Sequence, residues 1–394
     1  MLSNRQLFLL NTAQTSHSPR LIEIDRAAGV YLYGPNGEKY MDLVSGFAVS
    51  NIGHRHPRVL EAITNQLDKF MHVTVYGEFI QAPQVALASK LLSVLPERYD
   101  TVYFTNSGTE ATEGAMKIAK KFTRRREIIA AEKAYHGSTQ GALSLIGNPE
   151  YHAAYAPLLP EINFIRYNNL DDIDKITTST AAVILEAVQG EAGIRIPDAH
   201  YMQSVRKRCD ETGALLILDE IQTGFGRTGE LFAFQHYGIE PDILLLAKGM
   251  GGGMPIGAFV ANKAVMDVIK ENPMLGHITT FGGHPVSCAA ALASLNVILD
   301  ERLVAGVERK AQLFRQYLQH PQIREIRGIG LMICLQLDTF EQVERISKNC
   351  AENGVIIDWF LHCETALRIA PPLIINEAEI ATACRVILAA IDQS

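Results

Sequence analysis

Lys248 is the residue of this chain whose setting most suggests chemistry. It ends an aliphatic run, Ile243 to Ala247, and precedes a glycine-rich stretch, Gly249 to Pro255. A desolvated lysine can act as a nucleophile toward a carbonyl, and glycines let a ligand approach the backbone closely. The alternative is a lysine that caps the edge of a strand. Taken alone, Lys248 favours that structural role.

A second strand changes this interpretation. The segment Ala214 to Leu218 ends in Asp219, which lies 29 residues before Lys248. The carboxyl ends of neighbouring parallel strands open onto one crevice, so a carboxylate and an amine there can hold one ligand from two sides. Pyridoxal phosphate requires this pair, because an amine holds its aldehyde and a carboxylate keeps its pyridine nitrogen protonated.

A phosphate site is indicated where the strand ending at Thr105 turns through Ser107 and Gly108 into a helix near Thr109. The free amides and the positive dipole end of such a helix bind anions. An ordinary helix start, capped by Ser107 or Thr109, is the alternative. In combination with Lys248 and Asp219, the pattern favours the anion site.

Two further motifs are weaker. The segment Gly224 to Gly229 satisfies GxGxxG, but Glu220 to Thr223 separate it from the preceding strand, whereas a dinucleotide-binding turn follows its strand directly. The run His54-Arg55-His56 could suggest a metal site, yet no companion ligands lie nearby in the sequence. We therefore predict neither nicotinamide nor metal binding.

Composition limits the class of protein. The 394 residues are 47% hydrophobic and 20% charged, which is ordinary for a globular enzyme. The net charge of −7 argues against nucleic acid as a partner. Six scattered cysteines indicate neither a disulfide framework nor a zinc site. The apolar run Leu7 to Leu10 is too short for a signal peptide or a membrane span, so we expect a cytoplasmic protein without a membrane partner.

The order of elements predicts an α/β fold. A hairpin is expected over Val30 to Leu43, and strands alternate with helices from Thr101 to Val260, which is typical of a largely parallel sheet covered on both faces. An alanine-rich helix after Pro285 leads into a final α+β section. We predict an N-terminal segment, residues 1–52, that contributes to a small domain, then a large cofactor-binding domain, 53–285, and a C-terminal small domain, 286–394.

Several motifs together resemble the class III pyridoxal-phosphate-dependent aminotransferases, on the acetylornithine, ornithine and 4-aminobutyrate branch. The resemblance covers nearly the whole chain. The motifs, in chain order, are Ser107-Gly108-Thr109-Glu110-Ala111, Tyr135-His136-Gly137, Glu186 with Gln189-Gly190-Glu191, Leu218 to Arg227, Ala247-Lys248-Gly249, Thr280 to Pro285 and Arg368-Ile369-Ala370-Pro371-Pro372.

This resemblance implies the fold-type-I transferase architecture, pyridoxal 5'-phosphate as cofactor, and a homodimer with shared active sites. Lys248 would bind the cofactor and move the proton during catalysis, while Asp219 would pair with the pyridinium nitrogen. The other implied cofactor contacts are Gln222 at the ring oxygen, Tyr135 on the ring face, Ser107, Gly108 and Thr109 at the phosphate, His136 and Glu186 around the ring, and Thr280 at the phosphate of the neighbouring subunit. Tyr135 could instead be a packing residue, and Thr280 could bond its own loop.

The same resemblance assigns Arg368 to the carboxylate of the 2-oxo acid. Glu191 would pair with this arginine when an ω-amino donor needs no carboxylate partner. The remaining substrate-binding candidates are Phe47, Ser138 and Thr279. Two of them depart from the family, because Ser138 replaces the arginine usual in acetylornithine and ornithine enzymes, and Phe47 replaces the tyrosine frequent in ornithine enzymes. Both changes favour a less polar ω-amine or another amino acid, unless Arg166 or Arg195 compensates.

The predicted function is amino transfer from an ω-amino or amino-acid donor to 2-oxoglutarate by a ping-pong Schiff-base mechanism. A racemase or aminomutase of the same fold remains an alternative, and it would differ in the substrate-binding residues alone. A non-enzymatic binding protein would have little reason to keep Lys248, Asp219 and Gln222 together. The sequence does not identify the donor.

Overall fold

The structure is a computed structural model that describes residues 2–394. Its strands are β1 Arg26–Ala28, β2 Tyr31–Tyr33, β3 Lys39–Asp42, β4 Thr101–Thr105, β5 Glu127–Ala131, β6 Ile162–Ile165, β7 Thr180–Glu186, β8 Leu215–Asp219, β9 Ile243–Leu246, β10 Gly257–Ala261, β11 Glu325–Ile329, β12 Met332–Gln336, β13 Val355–Ile356, β14 Asp358–Trp359 and β15 Ala366–Ile369. Its helices are α1 Asn4–Asn11, α2 Ser45–Ala48, α3 Pro57–Leu67, α4 Ala82–Leu92, α5 Gly108–Thr123, α6 Gln140–Leu143, α7 Pro149–His152, α8 Ala199–Thr212, α9 Lys263–Met266, α10 Pro285–Asp300, α11 Val307–Tyr317, α12 Phe340–Glu352 and α13 Glu377–Asp392. Across residues 2–394, none of the helices has the length and apolar character needed to cross a membrane.

A seven-stranded sheet in the order β4-β10-β9-β8-β7-β5-β6 forms the centre of the fold. The five strands from β9 to β6 are parallel, and β10 pairs antiparallel with both of its neighbours. The predicted largely parallel α/β sheet is therefore confirmed. Strands β6 and β10 were not foreseen. Strand β10 is antiparallel because only a short glycine-rich turn, and no crossover helix, connects it to β9.

The inner strands are buried on both faces. Every residue of β7, β8 and β9 is buried, as expected for near-continuous aliphatic runs covered by helices on both sides. Leu216 and Leu218 belong to one core, and Ile217 belongs to the core on the opposite face. Because both faces are packed, the carboxyl ends of β8 and β9 are fixed side by side, with Asp219 in register with Leu245.

Two smaller four-stranded sheets share a third core. The predicted hairpin is present as β2 and β3, and β3 pairs in parallel with β13, which joins the N-terminal segment to the C-terminal section. The other sheet, β11-β12-β15-β14, is antiparallel and contains Arg368 on β15. The domain division stays a prediction. Helix α10 packs its buried side chains into a core of the large sheet, so we propose a boundary after Asp300 rather than after residue 285.

Candidate active site

Lys248 lies two residues after the end of β9, at the start of a short 3₁₀ turn. Its φ of 45° is in the left-handed region, a conformation that costs a non-glycine residue of order 1 kcal/mol or more and persists where the surroundings impose it. The side chain lines a cavity at the sheet edge. Burial lowers the pKa of the Lys248 amine more than the nearby carboxylates of Glu191 and Asp219 raise it. A lowered pKa increases the fraction of neutral, nucleophilic amine.

Asp219 ends β8 and is held in place from two directions. One carboxylate oxygen accepts a hydrogen bond from the amide of Ile221 at 2.8 Å, and the other lies 2.8 Å from Nδ1 of His136. Burial lowers the pKa of His136, but the hydrogen bond and charge of Asp219 outweigh burial and the net shift is upward. This buried pair keeps a negatively charged oxygen beside the cavity.

Helix α5 begins at the cavity wall. Its N-cap Ser107 accepts a hydrogen bond from the amide of Glu110 at 3.3 Å, while Glu110 binds the amide and side chain of Asn106. Gly137 has a φ of 129°, and a β-carbon there would overlap the side chain of Thr109. The absence of that β-carbon lets the Tyr135–Ser138 segment approach the helix start. The amides at this positive helix end face the cavity wall where the anion site is predicted, and such amides are suited to bind a phosphate.

A cavity of 540 Å³ brings most of the predicted cofactor residues together, namely Ser107, Gly108, Thr109, Tyr135, His136, Glu186, Asp219, Gln222 and Lys248. Glu186 accepts hydrogen bonds from the amides of Tyr135 at 3.2 Å and Gly190 at 2.8 Å, and burial raises the pKa of Glu186 to about 7. Sequence reasoning missed the apolar part of the lining, Val188, Ile221, Met254 and Ile256. Ile221 and Met254 lie in segments that the sequence analysis singled out, but the types of all four residues do not differ from those of core residues, so nothing marked their side chains as lining a cavity.

A second cavity of 870 Å³ adjoins the first and shares Tyr135, Ser138, Glu191 and Lys248 with it. Tyr135 and Ser138 hydroxyls lie 3.1 Å apart in its wall. We refer to the first as the inner cavity and to the second as the outer cavity. Sequence reasoning also missed Thr15, Gln140, Leu143, Ile146, Tyr151, Tyr155 and Leu361 in the outer lining. Apart from Lys248, the outer cavity has no lysine or arginine among the described residues that line it.

The buried Arg368 lines neither cavity, and it forms an ion pair at 2.5 Å with Glu191, which lines both. The guanidinium lies between two rings, 4.9 Å from the centre of Phe47 and 4.6 Å from that of Phe360. Its Nε and Nη1 are buried without hydrogen-bond partners. Burial raises the pKa of Glu191, but the charges of Arg368 and Lys248 outweigh it and the net shift is downward. Phe47 is held by a left-handed turn, since Ser45, Gly46, Phe47 and Ala48 all have positive φ.

Thr279 and Thr280 are not part of either lining. The hydroxyl of Thr279 accepts a hydrogen bond from the amide of Gly282 at 3.0 Å, and Thr280 is exposed. Within one chain, these two predicted residues are therefore separated from the rest of the site.

The donor set of the inner cavity fits pyridoxal phosphate. The Lys248 amine can hold an aldehyde, the Asp219 carboxylate can pair with a pyridinium nitrogen, and the start of α5 can bind a phosphate. Gln222 is in place because Gly190 has no side chain, and a β-carbon at Gly190 would overlap the Gln222 amide. The partly exposed Tyr135 ring completes the wall.

Comparison with known proteins identifies the family. Residues 12–391 match the family described as aminotransferase class-III. Acetylornithine aminotransferase of Methanopyrus kandleri is 39% identical over 355 residues, 89% of this chain and 90% of that protein, and putrescine aminotransferase of Pectobacterium atrosepticum is 40% identical over 372 residues, 88% of this chain and 79% of that protein.

Solved structures of transaminases are also similar to this chain over nearly its whole length. The ornithine aminotransferase of Toxoplasma gondii, described with pyridoxal phosphate at its active site, has a TM-score of 0.90 at 29% identity, covering 99% of this chain and 94% of its own. The ω-transaminase of Pseudomonas jessenii has a TM-score of 0.93 at 26% identity, covering 100% of this chain and 98% of its own. The predicted fold-type-I architecture and the cofactor are confirmed, and this chain belongs to the class III pyridoxal-phosphate-dependent aminotransferases.

Proposed function

We propose that this transaminase moves an amino group from an ω-amino donor to 2-oxoglutarate in two alternating half-reactions at one site. The observation that carries the proposal is the ion pair between Glu191, which lines both cavities, and the buried Arg368, since both charges are close enough to Lys248 to influence its pKa. Such a pair can present either a neutralised or a free arginine to the substrate.

The bound pyridoxal phosphate supplies an electron sink for the bond that breaks at the substrate carbon. Asp219, fixed by His136 and Ile221, supports this role with a negative charge. Lys248 is suited to take a proton at Nζ and return it, because its lowered pKa leaves more of the amine neutral. Tyr135, His136 and Glu186 line the inner cavity and would hold the cofactor in a fixed orientation there.

Two substrates can share the site through Glu191. While Glu191 neutralises Arg368, the buried guanidinium does not demand a carboxylate, and an ω-amine can occupy the site. When Glu191 moves away, Arg368 offers its fork of donors, including the buried and unpartnered Nε and Nη1, to the carboxylate of 2-oxoglutarate. Leaving that charge unpaired would be costly, so one carboxylate replaces the other.

The outer cavity favours a donor without an α-carboxylate. Ser138 stands where family members for acetylornithine and ornithine carry an arginine, and Phe47, Leu143, Ile146 and Leu361 make the wall largely apolar. Relatives of similar identity are named for acetylornithine and for putrescine, so likeness alone does not decide between these donors. Ser138 favours the diamine or a less polar ω-amine. Neither Arg166, which binds Asp172, nor Arg195, which binds Gln189, lines either cavity.

We also propose that the enzyme acts as a homodimer. The segments that flank Thr280 and the loop before α4 expose large apolar side chains, with Ile80 at 96%, Met274 at 79%, Met71 at 65% and Phe281 at 52% exposure. Burying such side chains between two copies is favourable. In a dimer, Thr280 would reach the cofactor phosphate of the other subunit, as the family resemblance implies.

A spectroscopic experiment tests the proposed reaction. The visible spectrum of the cofactor-loaded enzyme is recorded with a panel of ω-amines and amino acids, and 2-oxoglutarate is then added. A donor should change the spectrum, and 2-oxoglutarate should restore it with release of glutamate. Lys248→Ala should abolish turnover, whereas Lys263→Ala, an exposed lysine beside Asp267, should behave like the wild type. Substrate turnover without net amino transfer to any 2-oxo acid would instead support a racemase or aminomutase.

A further inference from the structure

Tyr151 lies in the outer cavity on the short helix α7, away from the sheet that carries the cofactor residues. None of the family motifs in this sequence includes it. We propose that Tyr151 is a positioning residue that holds Glu191 on Arg368 through the backbone of Leu361, and so sets the balance between the two substrates. The inference rests on the alternating use of Glu191 and Arg368 proposed above.

A chain of hydrogen bonds carries the argument. The Tyr151 hydroxyl donates to the carbonyl of Leu361 at 2.6 Å, and the amide of Leu361 donates to Oε2 of Glu191 at 3.1 Å. Oε2 is also the atom that binds Arg368. The next amide, of His362, donates to the backbone carbonyl of Glu191 at 2.9 Å. One carboxylate oxygen therefore joins the arginine and the Leu361 peptide.

Packing reinforces this arrangement. The ring of His362 lies edge-on to Tyr151, with ring centres 4.9 Å apart and planes at 87°. Tyr151 thus contacts both residues of the Leu361–His362 segment, one through its hydroxyl and one through its ring. The hydroxyl contact can be removed without losing the ring contact, which separates orientation of the peptide from packing.

These contacts hold Glu191 in one of two positions that are in equilibrium. In the closed position Glu191 binds Arg368 and the Leu361 amide, and in the open position it has left both. The structure shows the closed position. A ligand that needs the open position has its apparent affinity reduced by the small open fraction. Weakening the hold on Leu361 increases that fraction. Binding of 2-oxoglutarate then improves, while binding of the donor, which uses the already dominant closed position, changes little.

Tyr151→Phe tests the inference in the cofactor-loaded enzyme. One uncharged hydrogen bond changes an equilibrium by roughly threefold to tenfold, so we expect KM for 2-oxoglutarate to fall by about that factor and KM for the amino donor to stay within about twofold. Tyr317→Phe, which removes an exposed hydroxyl on α11, is the matched control and should leave both constants unchanged. Thermal unfolding of each variant checks that the fold is intact.

A double-mutant cycle with Glu191→Ala distinguishes the possible failures. If Glu191→Ala lowers KM for 2-oxoglutarate and Tyr151→Phe adds nothing in that background, Tyr151 acts through Glu191. If Glu191→Ala lowers this KM but Tyr151→Phe alone does not, the positioning role of Tyr151 is wrong and the alternating use of Arg368 stands. If Glu191→Ala leaves KM for 2-oxoglutarate unchanged, the proposed alternation fails and this inference fails with it. Equal increases in both KM values for Tyr151→Phe would indicate general damage and contradict the inference.

Discussion

The inner and outer cavities adjoin each other but are built in different ways. Lys248 and Asp219 of the inner cavity follow directly from buried parallel strands, whose packing on both faces leaves their ends little freedom. The outer cavity is lined by Phe47 on a strained turn, Tyr151 on a one-turn helix and Leu361 in a loop. The difference indicates that cofactor chemistry is fixed by the sheet, while the choice of substrate depends on segments that can change with little effect on the fold.

After loss of Lys248, the largest loss of activity is expected from a change at Asp219, which ends β8 in the wall of the inner cavity. Asp219→Asn keeps the shape but removes the charge that lines the inner cavity and pairs with His136. Losing one member of a buried charge pair costs about 3–5 kcal/mol, and a cost of that size in the transition state lowers kcat by roughly 10²–10⁴-fold for every donor alike. Stopped-flow measurement of each half-reaction checks this. A loss confined to one donor would place Asp219 in substrate selection and contradict the separation of the two cavities.

Arg368→Ala should have a smaller and more selective effect. In the proposed reaction the guanidinium binds a carboxylate of 2-oxoglutarate, and truncation of such a buried pair costs of order 2–5 kcal/mol. We expect KM for 2-oxoglutarate to rise by about 30-fold or more, while KM for an ω-amine without a carboxylate changes by much less. Steady-state kinetics with each substrate varied in turn provides the measurement. An unchanged KM for 2-oxoglutarate would rule out this use of Arg368.

The same contrast explains what the sequence could and could not predict. Lys248 and Asp219 were identifiable because each follows an aliphatic run, and runs of that kind specify buried parallel strands and hence the place where their ends meet. Tyr151 and Leu361 are far apart in the chain and lie in segments without periodicity, so their meeting at Glu191 depends on the packing of the final section against the large domain. Strand β10 was missed for a related reason, because its short run, Gly257–Ala261, lacked a preceding helix to mark it.

Ser138→Arg tests whether the outer cavity determines the choice of amino donor. Ser138 is exposed in the outer cavity, and an arginine there could bind the α-carboxylate of an amino-acid donor. A hydrogen bond to a charged group contributes about 1.5–3 kcal/mol, so kcat/KM for N-acetylornithine or ornithine should increase about tenfold or more relative to a diamine. Ser138→Ala is the control and should not alter this ratio much. High activity of the wild type toward N-acetylornithine would show that the chain recognises the α-carboxylate of this donor without an arginine at this position.

Substitution of Glu220 is expected to change activity least, and it tests how the core beneath the inner cavity contributes to stability. It follows Asp219 but is fully buried on the other side, where it accepts hydrogen bonds from Thr223 and from the amide of Phe234. Burial raises the pKa of Glu220 to about 7, from an ordinary value of 4.5. The protonated form is therefore favoured in the folded state. Its contribution to stability is fully present below about pH 4.5, is lost as pH rises towards 7, and can reach about 3 kcal/mol.

Glu220→Gln replaces this group with an uncharged one of the same shape. We expect the free energy of unfolding of the wild type, measured by urea denaturation relative to the variant, to fall as pH rises from about 4.5 to 7 and to level off above that range, with kcat of the variant within a few fold of the wild type. The exposed Glu230→Gln serves as control. If the stability curves of Glu220→Gln and the wild type run parallel over this pH range, Glu220 is ionised in the folded and in the unfolded state alike. If Glu220→Gln instead loses much of its kcat, Glu220 contributes to catalysis as Asp219 does, and not to packing alone. Parallel curves would contradict the expected loss of stability with rising pH, and a large loss of kcat would extend the catalytic region from the end of β8 into the core behind it.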